Sequence, residues 1–355
     1  AALTANTTGA SNVAVGKDAL AANTTGTRNT AVGYTAGDAM TTVSDNTYVG
    51  HGAGTANTSG DHNTGIGQAS MDELTTGANN TALGSNSLSG VVTGDSNTAV
   101  GKSALNANTS GANNVAVGGN ALAANTTATG NIAVGFNCLD ANTTGATNTG
   151  VGYYALSSNT TAGFNTGIGN AALQTTTEGH SNTAVGSSAL NKVTTGDYNV
   201  GIGFNAGIAM TTGDRSVAIG PYALDACTTG QYNVGIGNSA LGSLTDSDNN
   251  VAIGNSAGAA VTTGVDNTLI GSLAGDALTD ADYNVALGVS ALSTDTAGSR
   301  STALGYFTLT TQNFTGATDS YNTAVGFAAG QLVTTGTSNT FVGGLAGDAT
   351  DDGGS

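Results

Sequence analysis

Tryptophan is absent from the chain, proline occurs once, and Lys and Arg together number six. Against those six cations stand 23 Asp and Glu residues, a formal charge of −17. A nucleic-acid partner is excluded, because neutralising phosphates needs Lys and Arg in number. Docking on an anionic membrane surface is disfavoured for the same reason. Two cysteines, Cys138 and Cys227, give no disulfide framework. No run approaches the 18 or so apolar residues of a membrane-spanning helix. Charged residues make up only 8% of the chain while 38% are hydrophobic, which does not fit the disordered class.

What is abundant is glycine, 56 residues, together with Asn, Thr and Ala, and all of them recur with one period. The glycine closing each NTAVG-like segment falls at Gly16, Gly33, Gly50, Gly67 and onward to Gly305, always 17 apart. Gly326 follows after 21 residues, which puts four extra residues within Thr310–Tyr321, and Gly343 after a last regular step. The whole chain, 1–355, therefore reads as one repeat domain of 20 units with the pattern N-[TV]-A-V-G-x-x-A-L-x-x-N-T-T-G-x-x.

Columns are numbered 1 to 17 from the Asn of that pattern. Column 2 is β-branched (Val13, Thr30, Ile132, Val217), column 4 is always Val, Ile or Leu, and column 3 is Ala or Gly except at Tyr48, Leu269 and Phe341. This alternation predicts a strand over columns 1–5 with columns 2 and 4 toward the coil interior and column 3 outward. The invariant Gly of column 5 predicts a turn with positive φ or a close backbone approach. A second short strand is expected near columns 8–12, and a return turn over columns 13–17.

Column 9 is usually Leu; where it becomes Gly, column 12 becomes aliphatic, as in Gly37/Met40, Gly207/Met210, Gly258/Val261, Gly275/Leu278 and Gly330/Val333. Gly54/Asn57 and Gly347/Thr350 break the rule. One large side chain supplied from either of two columns implies a shared interior volume. Such a chain is an all-β parallel solenoid of 20 coils. At a strand spacing of about 4.8 Å it is a rod on the order of 95 Å long. A helical repeat is rejected on its glycine density, at about 1 kcal/mol per helical site.

The segments SNVAVG (Ser11–Gly16), RSVAIG (Arg215–Gly220) and NNVAIG (Asn249–Gly254) resemble the N-S-V-A-I-G motif in the head repeats of trimeric autotransporter adhesins. Similar repeats occur in phage tail-fibre shafts. The resemblance runs through essentially every repeat, although this repeat is longer than the usual adhesin one and no neck, stalk or membrane barrel accompanies it. It implies a left-handed β-roll, three chains about one axis, and attachment at a cell or virion surface, outside the cell.

Motifs that resemble chemistry follow from the period. GIGNAA (Gly167–Ala172) and GIGFNA (Gly201–Ala206) match a dinucleotide fingerprint, but the match recurs with the repeat and lacks a βαβ unit. His51, His62 and His180 occupy turns without ligand-type partners, and Cys138 and Cys227 read as small packed residues. Asp61, Asp95, Asp197 and Asp266 leave scattered calcium at turns as the one cofactor expectation; no other cofactor and no catalytic residue is expected. Asn6, Asn23, Asn57, Asn108, Asn125, Asn142 and Asn159 head glycosylation tripeptides that follow from the repeat.

Exposed aromatic residues are expected at the turns, in columns 6–7 (Tyr153, Tyr154, Phe204, Tyr222) and column 17 (Phe164, Tyr198, Tyr232, Tyr283, Tyr321). They are expected to contact a surface glycan or protein receptor, or other chains. The expected function is a non-catalytic structural or adhesive fibre segment, acting as a homo-trimer. An end-to-end filament subunit is the first alternative, since the chain starts in the Ala-Leu columns and repeats run to Asp348 without an evident polar cap. A monomeric ice-binding solenoid is the second, disfavoured because column 2 Thr is expected to share the interior face with column 4 and because the Thr-Thr pair lies near a turn.

Overall fold

The computed structural model describes residues 1–348. The chain forms two units, Ala1–His180 and Ser181–Ser355. In the first, ten three-residue strands run from Val13–Val15 to Thr166–Ile168 at the period of the sequence. Neighbours pair parallel and in register, so each column stacks on itself: Val13 on Thr30, Ala14 on Ala31, Val15 on Val32. The second unit repeats this with ten strands from Thr183–Val185 to Thr340–Val342, as in Val217 on Val234. No helix occurs among the described residues. Each unit is an all-β parallel solenoid with a 17-residue coil, as the sequence predicts.

Apart from a short pair at the insertion, there is one strand per coil, not two. The expected strand near columns 8–12 is replaced by a chain of turns, because residues on both sides of column 8 have left-handed backbone. In one coil these are Asp18 in column 7 (φ 60°) and Leu20 in column 9 (φ 48°). Extended strands exclude such values. Inter-coil bonding continues all the same: the Leu20 and Ala22 amides donate to the carbonyls of Ala36 and Asp38 at 3.0 and 3.1 Å.

Column 5 behaves as its invariance predicts. Its glycines have φ between 123° (Gly220) and 145° (Gly50). A Cβ added at Gly84 would lie 2.6 Å from the Gly101 carbonyl oxygen, and one at Gly220 2.6 Å from that of Gly237. A side chain at either position collides with the backbone of the next coil.

The faces of the strand are the reverse of the expectation. Ala82 is fully buried, whereas its neighbours Thr81 and Leu83 are exposed, Leu83 by 46%. In the second unit Ala286 is fully buried between exposed Val285 and Leu287. Column 3 thus faces the interior, and columns 2 and 4 face out. The interior is narrow and is already filled from columns 8, 9 and 12 by residues such as Ala104, Leu105 and Met40. Only a methyl group or a hydrogen fits on the strand side.

The exchange between columns 9 and 12 is a core contact: Leu105, Leu122, Met40, Met210, Val261 and Leu278 are all fully buried. The three bulky column 3 residues extend the rule. Each sits where two successive coils carry Gly in column 9. A Cβ at Gly54 would meet the Tyr48 ring at 2.6 Å, and Leu269 lies 2.8 and 2.7 Å from where Gly258 and Gly275 would place theirs. Phe341 stands in the same way against Gly330 at 3.0 Å and against Gly347. Tyr48 also resolves the Gly54/Asn57 exception, since its hydroxyl accepts from Asn57 Nδ2 at 3.0 Å. Thr350 lies outside the described residues.

The interior is also polar in a repeating way. Column 1 is a ladder of asparagines, nearly all fully buried, in both units, with buried Ser216 and Ser301 as two rungs of the second. Asn97 takes its place by donating its amide N–H to Asn80 Oδ1 (2.8 Å) and Nδ2 to the Gly111 carbonyl (2.9 Å), while its own Oδ1 accepts from the Asn114 amide (3.0 Å). Asn250 repeats these bonds with Asn233, Gly264 and Asn267. Buried amides are tolerated because the ladder satisfies them.

The four extra residues form a local bulge in the second unit. Gly298–Ser299 and Thr318–Asp319 add a short parallel pair, and the main ladder resumes with Thr302 on Thr323. Buried Asp295 anchors the bulge: its Oδ1 accepts from the Gly298 and Phe314 amides, both at 3.0 Å, and its Oδ2 from Gln312 Nε2 at 2.6 Å. Gln312 Oε1 in turn accepts from Asn322 Nδ2 at 2.8 Å.

Candidate interaction surfaces

Because every column stacks in register, outward residues form continuous stripes within each unit. Columns 2 and 4 make a stripe of β-branched and aliphatic side chains, Thr at twelve of the twenty column 2 positions and Val, Ile or Leu elsewhere, with Leu83, Ile132, Val134, Ile202 and Leu287 among those well exposed. None of the 23 acidic residues lies in columns 1–6. The acids stand instead in turn columns such as 10 and 16. The only charged residues in columns 1–6 are Lys17 and Lys102, with His51 the one other ionisable group apart from tyrosine. An uncharged strip of β-branched and aliphatic side chains on a chain of charge −17 is the most distinctive surface feature of both units.

Aromatic side chains border the stripe. Past the column 5 glycine, Phe136 stacks on Tyr153 with ring centroids 5.7 Å apart, and Tyr154 meets Tyr153 edge-on at 4.4 Å. Phe204 meets Tyr222 edge-on at 5.5 Å. Tyr34 stacks on His51 at 5.2 Å and Tyr306 on Phe327 at 5.6 Å. Of the nine aromatic residues singled out from sequence, Tyr153, Phe164, Tyr198, Phe204, Tyr222, Tyr232, Tyr283 and Tyr321 are exposed, and Tyr154 is half-buried.

Column 16 has a structural role that the sequence did not reveal. Asp61 Oδ1 accepts the Ser44 amide, Asp95 Oδ1 the Ala78 amide and Asp214 Oδ1 the Asp197 amide, each at 2.7 Å. His180 does the same through Nδ1 for the Gly163 amide at 3.0 Å. These side chains fasten one coil to the next. Among the described residues no three His, Cys, Asp or Glu side chains converge as a metal site, and no pocket opens.

Several titratable groups are shifted by burial. The column 10 carboxyls of Asp38, Asp72, Asp140, Asp225 and Asp276 are all pushed above the ordinary carboxylate range, chiefly by desolvation. Asp45 goes the other way, held down by its bidentate pair with Arg28 at 2.6 and 2.8 Å. Burial pushes the Cys138 thiol up to about 12 and that of Cys227 up to about 11. Both thiols are fully buried, which leaves them inert in the folded chain.

The asparagines of the glycosylation tripeptides are mostly interior. Asn23, Asn57, Asn108, Asn125, Asn142 and Asn159 are fully buried; Asn6 is exposed. They form a second ladder in the first unit: Asn125, Asn142 and Asn159 each donate Nδ2 to Oδ1 of the preceding Asn at 2.8, 3.2 and 2.8 Å.

No family model matches the chain, and no curated protein matches it.

Proposed function

We propose that the chain is a non-catalytic structural segment of an extracellular fibre, whose copies associate side by side through the strand face. The observation that carries this is the acid-free apolar stripe of columns 2 and 4. Burying such surface contributes roughly 25 cal/mol per Å², and only on this face do two copies of so acidic a chain meet without juxtaposing carboxylates. The adhesin-like motif in column register favours three chains per fibre and a place on a cell or virion surface. The aromatic turns then remain available for attachment.

Cysteine placed at Leu83 tests the contact, because the two native thiols are buried. Oxidised Leu83→Cys is expected to give covalent dimers, while Thr144→Cys, in an exposed turn column, gives none. Equal cross-linking at the two sites would overturn the strand-face contact.

Ice binding is the second reading, and one observation favours it. Column 2 faces outward, so Thr30, Thr47, Thr64, Thr81 and Thr98 form five successive outward rungs in the first unit. One of the two grounds on which the sequence disfavoured it, an interior column 2, is thereby removed. A chain that stays monomeric and shows thermal hysteresis would fit ice binding and not the fibre.

A further inference from the structure

Column 17 enters the strand with positive φ in every described coil, from 50° at Tyr321 to 69° at Gly130. Gly, Asn, Asp and Ser tolerate that conformation best, and bulky side chains are disfavoured there. The second unit nevertheless carries four tyrosines in this column, Tyr198, Tyr232, Tyr283 and Tyr321, each about half exposed. Interior packing does not explain them. Strained, exposed aromatic residues held in one line mark a surface with a task.

The tyrosines are arranged as two triplets with an arginine between the rings. The Arg215 guanidinium lies 5.4 Å from the Tyr198 ring and 5.7 Å from the Tyr232 ring, and Nη1 donates to the Tyr232 hydroxyl at 3.4 Å. Arg300 lies 4.8 Å from the Tyr283 ring and donates Nε to Asp319 Oδ1 at 2.9 Å; the Tyr321 hydroxyl donates to Asp319 Oδ2 at 3.2 Å. Such packing holds the rings in place. Rings two coils apart stand about 9.6 Å apart at the strand spacing. Two sugar rings of an extended chain have about the same length.

Column 16 supplies hydroxyl-binding groups beside the rings. Gln231 precedes Tyr232 and Asp282 precedes Tyr283. Asp214, Asp248 and Asp282 are fixed by accepting the amides of Asp197, Gln231 and Val265 at 2.7, 2.7 and 2.8 Å. An aromatic plane flanked by fixed carboxylate and amide groups suits a sugar, with its apolar C–H face and its rim of hydroxyls. The same carboxylates repel polyanions.

We propose that the column 17 edge of the second unit binds a neutral, extended β-1,4-linked polysaccharide, with alternate sugars stacked on the tyrosines. The site is built within one chain and does not depend on side-by-side association. Affinity electrophoresis of the full chain through gels containing hydroxyethylcellulose, or alginate as the anionic control, tests it. Tyrosine emission gives a second readout, undisturbed because tryptophan is absent. Retardation is expected in hydroxyethylcellulose and not in alginate. The double variant Tyr198→Ala/Tyr232→Ala should weaken it roughly tenfold or more, from the loss of two stacking planes. The Tyr→Phe pair should retain most binding, and Tyr34→Ala in the first unit all of it. Absence of retardation by hydroxyethylcellulose overturns the proposal. So does retardation that survives the double variant, or a double variant whose effect is on solution mass alone, which would make the tyrosines chain-to-chain contacts.

Discussion

At column 12 a stretch of each unit solves the same packing problem with different chemistry. In Ala1–His180 the rungs Asn108, Asn125, Asn142 and Asn159 stack as a buried amide ladder. In Ser181–Ser355 the same column carries Val193, Met210, Cys227, Leu244, Val261 and Leu278, all fully buried. Column 2 also varies in blocks, with Thr in the run Thr30 to Thr98 of the first unit and Val in the run Val200 to Val251 of the second, although each unit carries both residues. The backbone barely registers the change: strand length, register and the positive-φ positions are alike. Backbone geometry is therefore set by what both units share, the column 5 glycine, the column 1 asparagine and the left-handed turns. The interior side chains are interchangeable where volume is filled and amides are paired.

The largest effects should ignore the difference between the units. Gly84→Val and Gly220→Val each force a side chain into the next coil's carbonyl and should each cost more than about 4 kcal/mol, enough to lose the folded circular-dichroism signal. A variant tolerated in one unit and not in the other would break the shared-backbone account. Tyr48→Ala should cost about 3–5 kcal/mol by leaving a cavity. Adding Gly54→Leu should recover much of that in urea denaturation, because column 9 leucines already occupy the same left-handed backbone beside a column 12 asparagine. No recovery would mean that column 3 and column 9 do not share one volume.

Asn125→Leu sharpens the contrast. Alone it should cost about 2–4 kcal/mol, since it strands Asn108 Oδ1 and leaves the Ala128 carbonyl with only the Asn114 side-chain amide as donor. Replacing all four stacked asparagines with Leu should cost less per site, because both partners of each internal bond then disappear. The smallest effect is on pH dependence. Folded-state carboxyls raised at column 10 bind protons more tightly than unfolded ones, so they favour the folded state once protonated. Their contribution is fully present below the ordinary carboxylate pKa and is lost as pH rises through the raised folded value. Melting temperature should therefore rise as pH falls from neutral toward 5, and Asp140→Asn should flatten part of that rise. A melting temperature that falls on mild acidification would contradict it.

The coil was legible in the sequence because one glycine column and an unbroken period admit few structures. The direction of the strand was not, because a three-residue strand alternates equally well either way, and burial of Val and Ile was the deciding assumption. Aliphatic side chains are often exposed, so that assumption was weak. Tyr48, Leu269 and Phe341 held the answer: each lies between two successive column 9 glycines, which makes sense only if column 3 points inward. The asparagine ladders were hidden for the opposite reason, since asparagine usually marks a solvated turn and only stacking in register makes it an interior residue. The aromatic columns were visible as turn positions. That Arg215 and Arg300 pack against the tyrosines required the stack itself.

The central claim, that the outward strand face is where chains meet, is tested most directly by solution mass from light scattering. The native chain of 34.0 kDa should scatter as three chains, and Ile202→Asp/Ile219→Asp, with two acids placed on that face, as one chain with an unchanged circular-dichroism spectrum. A native chain that scatters as a monomer, or a variant that keeps the native mass, would contradict it.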